Sequence, residues 1–438
     1  MNFAFAKTKT SLAFTEILYL VFFIGLVCAF RAVTSICIGT MVLTGIILYK
    51  NDLKFIFGNK LLALFTISCC VFFFLQIISL SFTTNLAEGL NDARLKSGLV
   101  FTPFAVLFLF AGNRYESGKL YSWYCLLIFF ASVYLLYTAA GEFMKNRNIS
   151  VFFYHALVSP FRYHAVYYSI LVFIALLFVV ENLAKRNYFL NKYFHLFLLL
   201  FLSGFLLLLA SKLVISFYSL FCFYFLFTQH GLFNKSRLII YTLAGLLVVG
   251  TTFILITKNP ISIRFNDFVN GNISLIKQDK FSPSVYFNGL QFRLLEWKLV
   301  PQILKERHAW WTGVSTGDAQ TILDNKYLEL NMYRGEPGKP GGGYLGYNVH
   351  NQLLQSLLQS GIPGAISFLF ICTTLILLAM RDRKRIVRFT ITLLLCYLFV
   401  ESLFEEQYGI VIFCFWPIFL ARSCKEDSVS MSTINKTL

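Results

Sequence analysis

Two residue pairs define the chemistry available to this chain. Arg293 and Trp297 stand four apart at the head of the run RLLEWKLVPQILKERHAWWTGVSTGDA, and His350-Asn351 close the same polar stretch. Arginine offers a planar fork that matches phosphate oxygens and stays charged at any relevant pH, so Arg293 suits a diphosphate. The i,i+4 spacing sets cation and indole on one helix face; it suits equally an arginine that snorkels to lipid headgroups. A histidine can take the proton of a hydroxyl as general base. Asn351 stands where a helix cap would, so His350 reads either as that base or as part of a helix start. A nearby cation such as Arg293 would disfavour the imidazolium and keep the base neutral, with activity falling below about pH 6.

Lys212 lies near the end of an apolar span, where an ionisable group marks a functional site or snorkels. Glu401, Glu405 and Glu406 gather late in the chain. Glu401 and Glu405 share a face if the helix reaches that far, and they could bind a cation, orient a base or form a solvated acidic loop. There is no D-x-D pair, no Walker loop and no G-x-S-x-G, which leaves no basis for a nucleotide-driven enzyme or a serine hydrolase.

The elements that must position these residues are membrane helices. Of 438 residues 57% are hydrophobic and 13% charged, with mean hydropathy +0.68; soluble domains carry about a quarter charged residues. Twelve spans are expected, at 12–30, 32–49, 61–80, 98–111, 120–140, 165–182, 193–210, 213–228, 238–257, 352–379, 387–403 and 408–421, several of them near the ~20 residues a bilayer core requires. Lys7 and Lys9 precede an apolar run that lacks a small-residue cleavage site, so it reads as the first span, not a signal peptide. With the N-terminus cytoplasmic, twenty cations fall in inside segments and seven in short outside loops, the bias the positive-inside rule requires. The net charge of +17 therefore sets topology and implies no nucleic acid. Arg31, Arg162, His164, Lys212, Arg293, His350, Glu401, Glu405 and Glu406 all then lie at the outer face.

The expected plan is 1–257 with nine spans, an outer segment 258–351, three more spans in 352–421 and a cytoplasmic tail 422–438. All ten cysteines lie in or beside apolar spans, which excludes a disulfide-stapled outer domain, and no C-x-x-C spacing suggests a metal. Within the outer segment, 258–287 has no strong period. Gly289–Glu306 has helical apolar spacing with an expected kink at Pro301. The Gly- and Pro-rich run 334–347 reads as a loop. In NQLLQSLLQSG, glutamines and serines line one face and leucines the other, the pattern of an amphipathic helix lying at the membrane interface before the chain dives at Ile362-Pro363-Gly364.

Arg293-x-x-x-Trp297, Gly313-Val-Ser-Thr-Gly317-Asp318 and His350-Asn351-x-Leu-Leu-x-x-Leu-Leu-x-x-Gly361-Ile-Pro-Gly364 together resemble the signature of the O-antigen ligase and polymerase superfamily. Ser211-Lys212, where that family usually has Ser-Arg, and Glu401-Ser-Leu-Phe-Glu405 support the resemblance. It implies an all-α polytopic membrane protein of GT-C type, with about twelve transmembrane helices and one large periplasmic loop. It implies a glycosyltransferase of the bacterial inner membrane, without metal or other cofactor, that moves a glycan from undecaprenyl diphosphate to a hydroxyl. The acceptor would be lipid A core, a growing glycan or a glycoprotein. Arg293 would hold the diphosphate with Lys212 and Arg162, and His350 would activate the acceptor. Trp297, Asn351, His164, Glu401 and Glu405 would support them. A single large loop and a short tail favour a ligase over a polymerase or a protein glycosylation enzyme. Outside that class, a transporter of lipid-linked sugars shares the span count, but no internal repeat is evident.

Overall fold

The computed structural model describes residues 9–49, 59–112, 117–228, 273–335 and 343–423, with Thr242 and Gly245. Apart from Thr242 and Gly245, the expected ninth span at 238–257 lies outside them, as do residues 258–272, the start of the expected outer segment, and 424–438. Among the described residues every regular element is helical and no strand occurs. Helices α1 (Lys9–Val27), α2 (Arg31–Tyr49), α3 (Lys60–Ser79), α4 (Leu86–Lys96), α5 (Gly98–Gly112), α6 (Ser117–Asn146), α7 (Ala165–Lys185), α8 (Lys192–Leu208) and α9 (Lys212–Thr228) come first. After them come α10 (Gly289–Glu306), α11 (Ala319–Glu329), α12 (Gln352–Arg381), α13 (Arg385–Leu398) and α14 (Gln407–Ser423).

Eleven expected spans thus have a helix at their place, all but the one outside the described residues. Four helical stretches, Lys60–Phe82, Gly118–Asn146, Ala165–Lys185 and Gln352–Arg381, are long and apolar enough to cross a membrane. Five shorter apolar helices accompany them. Helix α7 is apolar on every side and buried almost throughout, as a helix at the centre of a bundle must be. The middle of α14 is enclosed in the same core, where Trp416 meets Tyr124 and stacks on Phe23. The outer helices instead expose large apolar side chains such as Ile36, Ile47, Phe74, Phe130 and Met380. So broad an apolar surface would be a liability in water and is the expected surface in lipid.

Residues 273–335 form a second, smaller core at one end of the bundle. Leu295, Leu299, Val300, Ile303 and Leu304 of α10 pack on Leu323 and Tyr327 of α11 and on Val349 and Leu358. Helix α10 begins at a reciprocal cap: the Asn288 side chain accepts from the Leu290 and Gln291 N–H groups at 3.0 and 2.9 Å, and Gln291 Oε1 accepts from the Asn288 N–H at 2.8 Å. It then runs unbroken through Pro301.

The amphipathic reading of 352–361 requires correction. Its glutamines and serines face protein, not water: Gln352, Gln355, Ser356, Gln359 and Ser360 are all buried. Gln352 Oε1 accepts from the Phe404 N–H at 2.7 Å, and Gln355 Oε1 from the Val349 N–H at 3.2 Å. Gln359 takes a bond from Lys96 Nζ at 2.8 Å and gives one to Glu405 at 3.1 Å. Periodicity identifies a polar face, yet it says nothing of whether water or neighbouring chain satisfies it. The helix bends at Gly361, whose φ of 65° and ψ of −159° belong to a region that glycine alone adopts readily.

Candidate active site

Residues 273–335 are joined to the bundle by the run Gly313–Asp318. Val314 N–H donates to Leu358 O at 2.8 Å, and Ile362 N–H donates to Trp310 O at 2.9 Å. A Cβ at Gly313 would stand 2.5 Å from Gln359 C and Ser360 N, and one at Gly317 2.5 Å from Asn85 O; the glycines permit backbone on backbone. Asp318 accepts from the Thr84 N–H and hydroxyl at 2.8 and 2.7 Å and from the Asn85 N–H at 3.0 Å. Burial pushes its carboxyl up, but these donors prevail and hold it below the ordinary aspartate value. Beside this seam, Lys96 is fully buried, 2.8 Å from Asp92 and 3.1 Å from Glu405. Burial alone would discharge it; the two carboxylates keep its pKa above the usual lysine value. Glu405 thus belongs to a buried ion cluster that joins α4, α12 and the 403–405 turn.

The joined segment sets α10 over the loop between α13 and α14. Arg293 Nε donates to Val400 O at 2.9 Å, one terminal nitrogen donates to Gly289 O at 2.9 Å, and the other meets Glu401 at 2.5 Å. Three of its five N–H donors are used, and two remain for a ligand among the described residues. One turn further on, Glu296 has no exposed surface. Its carboxylate oxygens stand 2.9 and 3.2 Å from His350 Nδ1, and Tyr327 hydroxyl donates to it at 3.1 Å. His350 has a left-handed backbone, φ 48°. Asn351 follows as the cap of α12, its side chain accepting from Leu354 N–H at 3.1 Å and donating to Phe399 O at 3.2 Å.

Glu296 changes the electrostatics expected for His350. Burial presses the imidazolium down, and Arg293 acts in the same direction. The hydrogen bond and charge of Glu296, aided by Glu401, outweigh both and raise its pKa above the ordinary 6.5. Arg293 thus acts in the expected direction, but the expected net result, a pKa at or below the ordinary value, is corrected: the carboxylate in direct contact outweighs it. Burial likewise raises Glu296 above 4.5, against the pull of His350. With Nδ1 turned to the carboxylate, Nε2 is the nitrogen left for a substrate, the arrangement by which a carboxylate fixes a histidine's tautomer in catalytic triads.

His350 and Arg293 both line a cleft of about 600 Å³ whose walls include Tyr154, Tyr286, Phe292, Tyr333, Tyr344 and Tyr347. The other expected site residues are not among those that line it. Ser211 hydroxyl lies 2.5 Å from that of Tyr397, which stands four residues before Glu401, and Lys212 follows Ser211 at the start of α9. His164 accepts from Val166 N–H at 3.3 Å at the start of α7, and its ring meets His155 at 4.3 Å. His155 in turn contacts the cleft residue Tyr154 at 3.9 Å. Arg162 is exposed with a left-handed backbone. Trp297 packs against the smaller core instead of entering the cleft. Its indole N–H is buried without a partner among the described residues.

Sequence reasoning passed over Glu296 and Lys96. The signal for Glu296 was a carboxylate within an apolar helical run, three residues after Arg293; its burial became legible only when that face met α11 and His350. The O-antigen ligase family model matches residues 196–369. No curated protein matches the chain.

Proposed function

We propose that this chain acts as a member of the O-antigen ligase superfamily, whose family model matches residues 196–369, and that it transfers a glycan from undecaprenyl diphosphate to an acceptor hydroxyl. The observation that carries this reading is one cleft flanked by a guanidinium with two remaining donors and by a histidine whose Nδ1 is held by a buried carboxylate. In the reaction, the acceptor oxygen attacks the anomeric carbon and its proton passes to His350 Nε2. The bond to the lipid diphosphate breaks, and its electron pair leaves with the diphosphate. Arg293, with Lys212 and Arg162 as further cations, stabilises the charge that develops there, the kind of preorganised electrostatics that lowers such barriers. Glu296 stabilises the imidazolium and is a positioning residue; Glu401 orients Arg293.

The setting is the inner membrane, multi-pass, with the site facing the periplasm and 258–351 as the outer loop between groups of nine and three spans, in a GT-C-like plan. Within the superfamily, attachment of glycan to lipid A core, a ligase activity in lipopolysaccharide assembly, is preferred to polymerisation, because the sequence has one large polar loop. Purified protein given a lipid-diphosphate donor and a core oligosaccharide should form the conjugate. A deletion strain should accumulate full-length chains without attachment. Single repeat units in that strain would select the polymerase, and an unchanged glycan profile would remove the chain from this chemistry.

A further inference from the structure

The cleft is far more aromatic than a diphosphate clamp requires. Tyr344 and Phe292 form a fixed floor: their rings lie 4.8 Å apart, and Tyr344 hydroxyl accepts from Phe287 N–H at 2.8 Å. Above them two tyrosines stand in the open, Tyr286 76% and Tyr347 47% exposed. Tyr347 is held in place without being covered. Its carbonyl accepts from Gln320 at 3.1 Å and from Tyr327 hydroxyl at 3.3 Å, and its ring lies nearly parallel to His350 with centroids 5.7 Å apart. Among the described residues that line the cleft, Arg293 and His350 are the ones that carry or can take a positive charge, and none is a carboxylate.

A rigid, exposed aromatic wall with phenolic edges offers large contact area at little entropic cost. The ligand that fits it has flat apolar C–H faces and hydroxyl edges, which describes a sugar ring. A peptide acceptor would be served by sheet edges or apolar grooves, and an acidic sugar would require cations along the wall. The volume lies within the range of small-molecule sites. We infer that the Tyr286–Tyr347 wall is an acceptor subsite for uncharged sugar rings, which sets a glycan acceptor hydroxyl, not a protein side chain, against His350. The inference rests on the transferase reading, but binding can be read without transfer.

Saturation-transfer NMR on the full chain in nanodiscs, with maltotriose, mannotriose and triacetylchitotriose as probes and no donor present, tests it. At least one probe should receive saturation. Tyr286→Ala and Tyr347→Ala should each weaken its binding about five-fold, the scale of one aromatic contact. Tyr286→Trp should retain it. In the transfer assay Tyr286→Ala should raise KM for the sugar acceptor and leave kcat nearly unchanged. No saturation above empty nanodiscs, equal binding by the alanine variants, or preference for trigalacturonate or a serine-rich peptide would overturn the subsite. Probe binding with no transfer to any acceptor would instead keep the subsite and sink the transferase reading.

Discussion

Glu296 and His350 form a buried pair in which each partner depends on the other. A fully buried carboxylate without its partner costs about 3–5 kcal/mol, so His350→Ala should both inactivate and destabilise the protein. His350→Gln, which can still donate to Glu296, is the cleaner catalytic test and should fold yet lose most activity. The pair also makes a prediction with opposite slopes. Both groups titrate above their ordinary values in the folded state. The folded chain therefore holds more protons than the unfolded one between those ordinary values and the raised ones. The pair's contribution to stability is full below that window and is lost as pH rises through it. Activity runs the other way, because a base must be neutral: the rate should climb as pH rises through the raised His350 pKa. Glu296→Gln should lower kcat and move that climb to lower pH; a pH–rate profile identical to wild type would deny Glu296 any hold on His350. At Arg293, three nitrogens reach three separate acceptors. Arg293→Lys, a single point donor, should then recover only part of the activity that Arg293→Ala abolishes in a purified transfer assay.

At the scale of elements, the seam between Gly313–Asp318 and the bend of α12 decides where α10 lies, and therefore where Arg293 and Glu296 lie. Gly361 is its narrowest point, with a positive φ and backbone against Trp311 and Gly313. A side chain there meets both strain and collision, so Gly361→Ala should destabilise by more than the ~1–3 kcal/mol typical of a strained backbone position. It should also depress transfer, since residues 273–335 would lift from α12. Thermal unfolding and activity of the same preparation check this, and a fully active, fully stable Gly361→Ala protein would mean that the seam does not position the site. Much of this level was legible in the sequence. The bounds of α10 followed from apolar residues at helical spacing, and the cap at Asn351 from its place before a periodic run. The polar face of α12 was legible as a face but not as a buried one, since its partners Lys96, Phe404 and Glu405 come from distant parts of the chain.

For the molecule as a whole, the polar residues meet at one end of an apolar bundle. Arg31 reaches Glu406 at 3.4 Å, Tyr163 stacks on Tyr408 at 4.6 Å, and Lys96, Arg293 and His350 lie at the same end. We propose from the cation bias that this end is the outer one. A cysteine introduced at the exposed Glu329, in an otherwise cysteine-free active variant, should react with a membrane-impermeant thiol reagent in cells whose outer membrane alone is permeabilised. Reaction only after the inner membrane is broken would invert the orientation. The sequence by itself determined the helical class, the places of the apolar helices, the helical run 289–306 and the pairing of Arg293 with His350 in one segment. Those features depend on local composition and period, which the solvent, lipid or water, reads directly. Only the tertiary structure decided that Glu296 holds His350, that Glu401 holds Arg293, that Lys96 and Glu405 are buried together, and that tyrosines from separate loops make one wall. Each depends on which faces meet across dozens or hundreds of residues, and the burial that raises a pKa or makes an ion pair obligatory exists only once those faces have met.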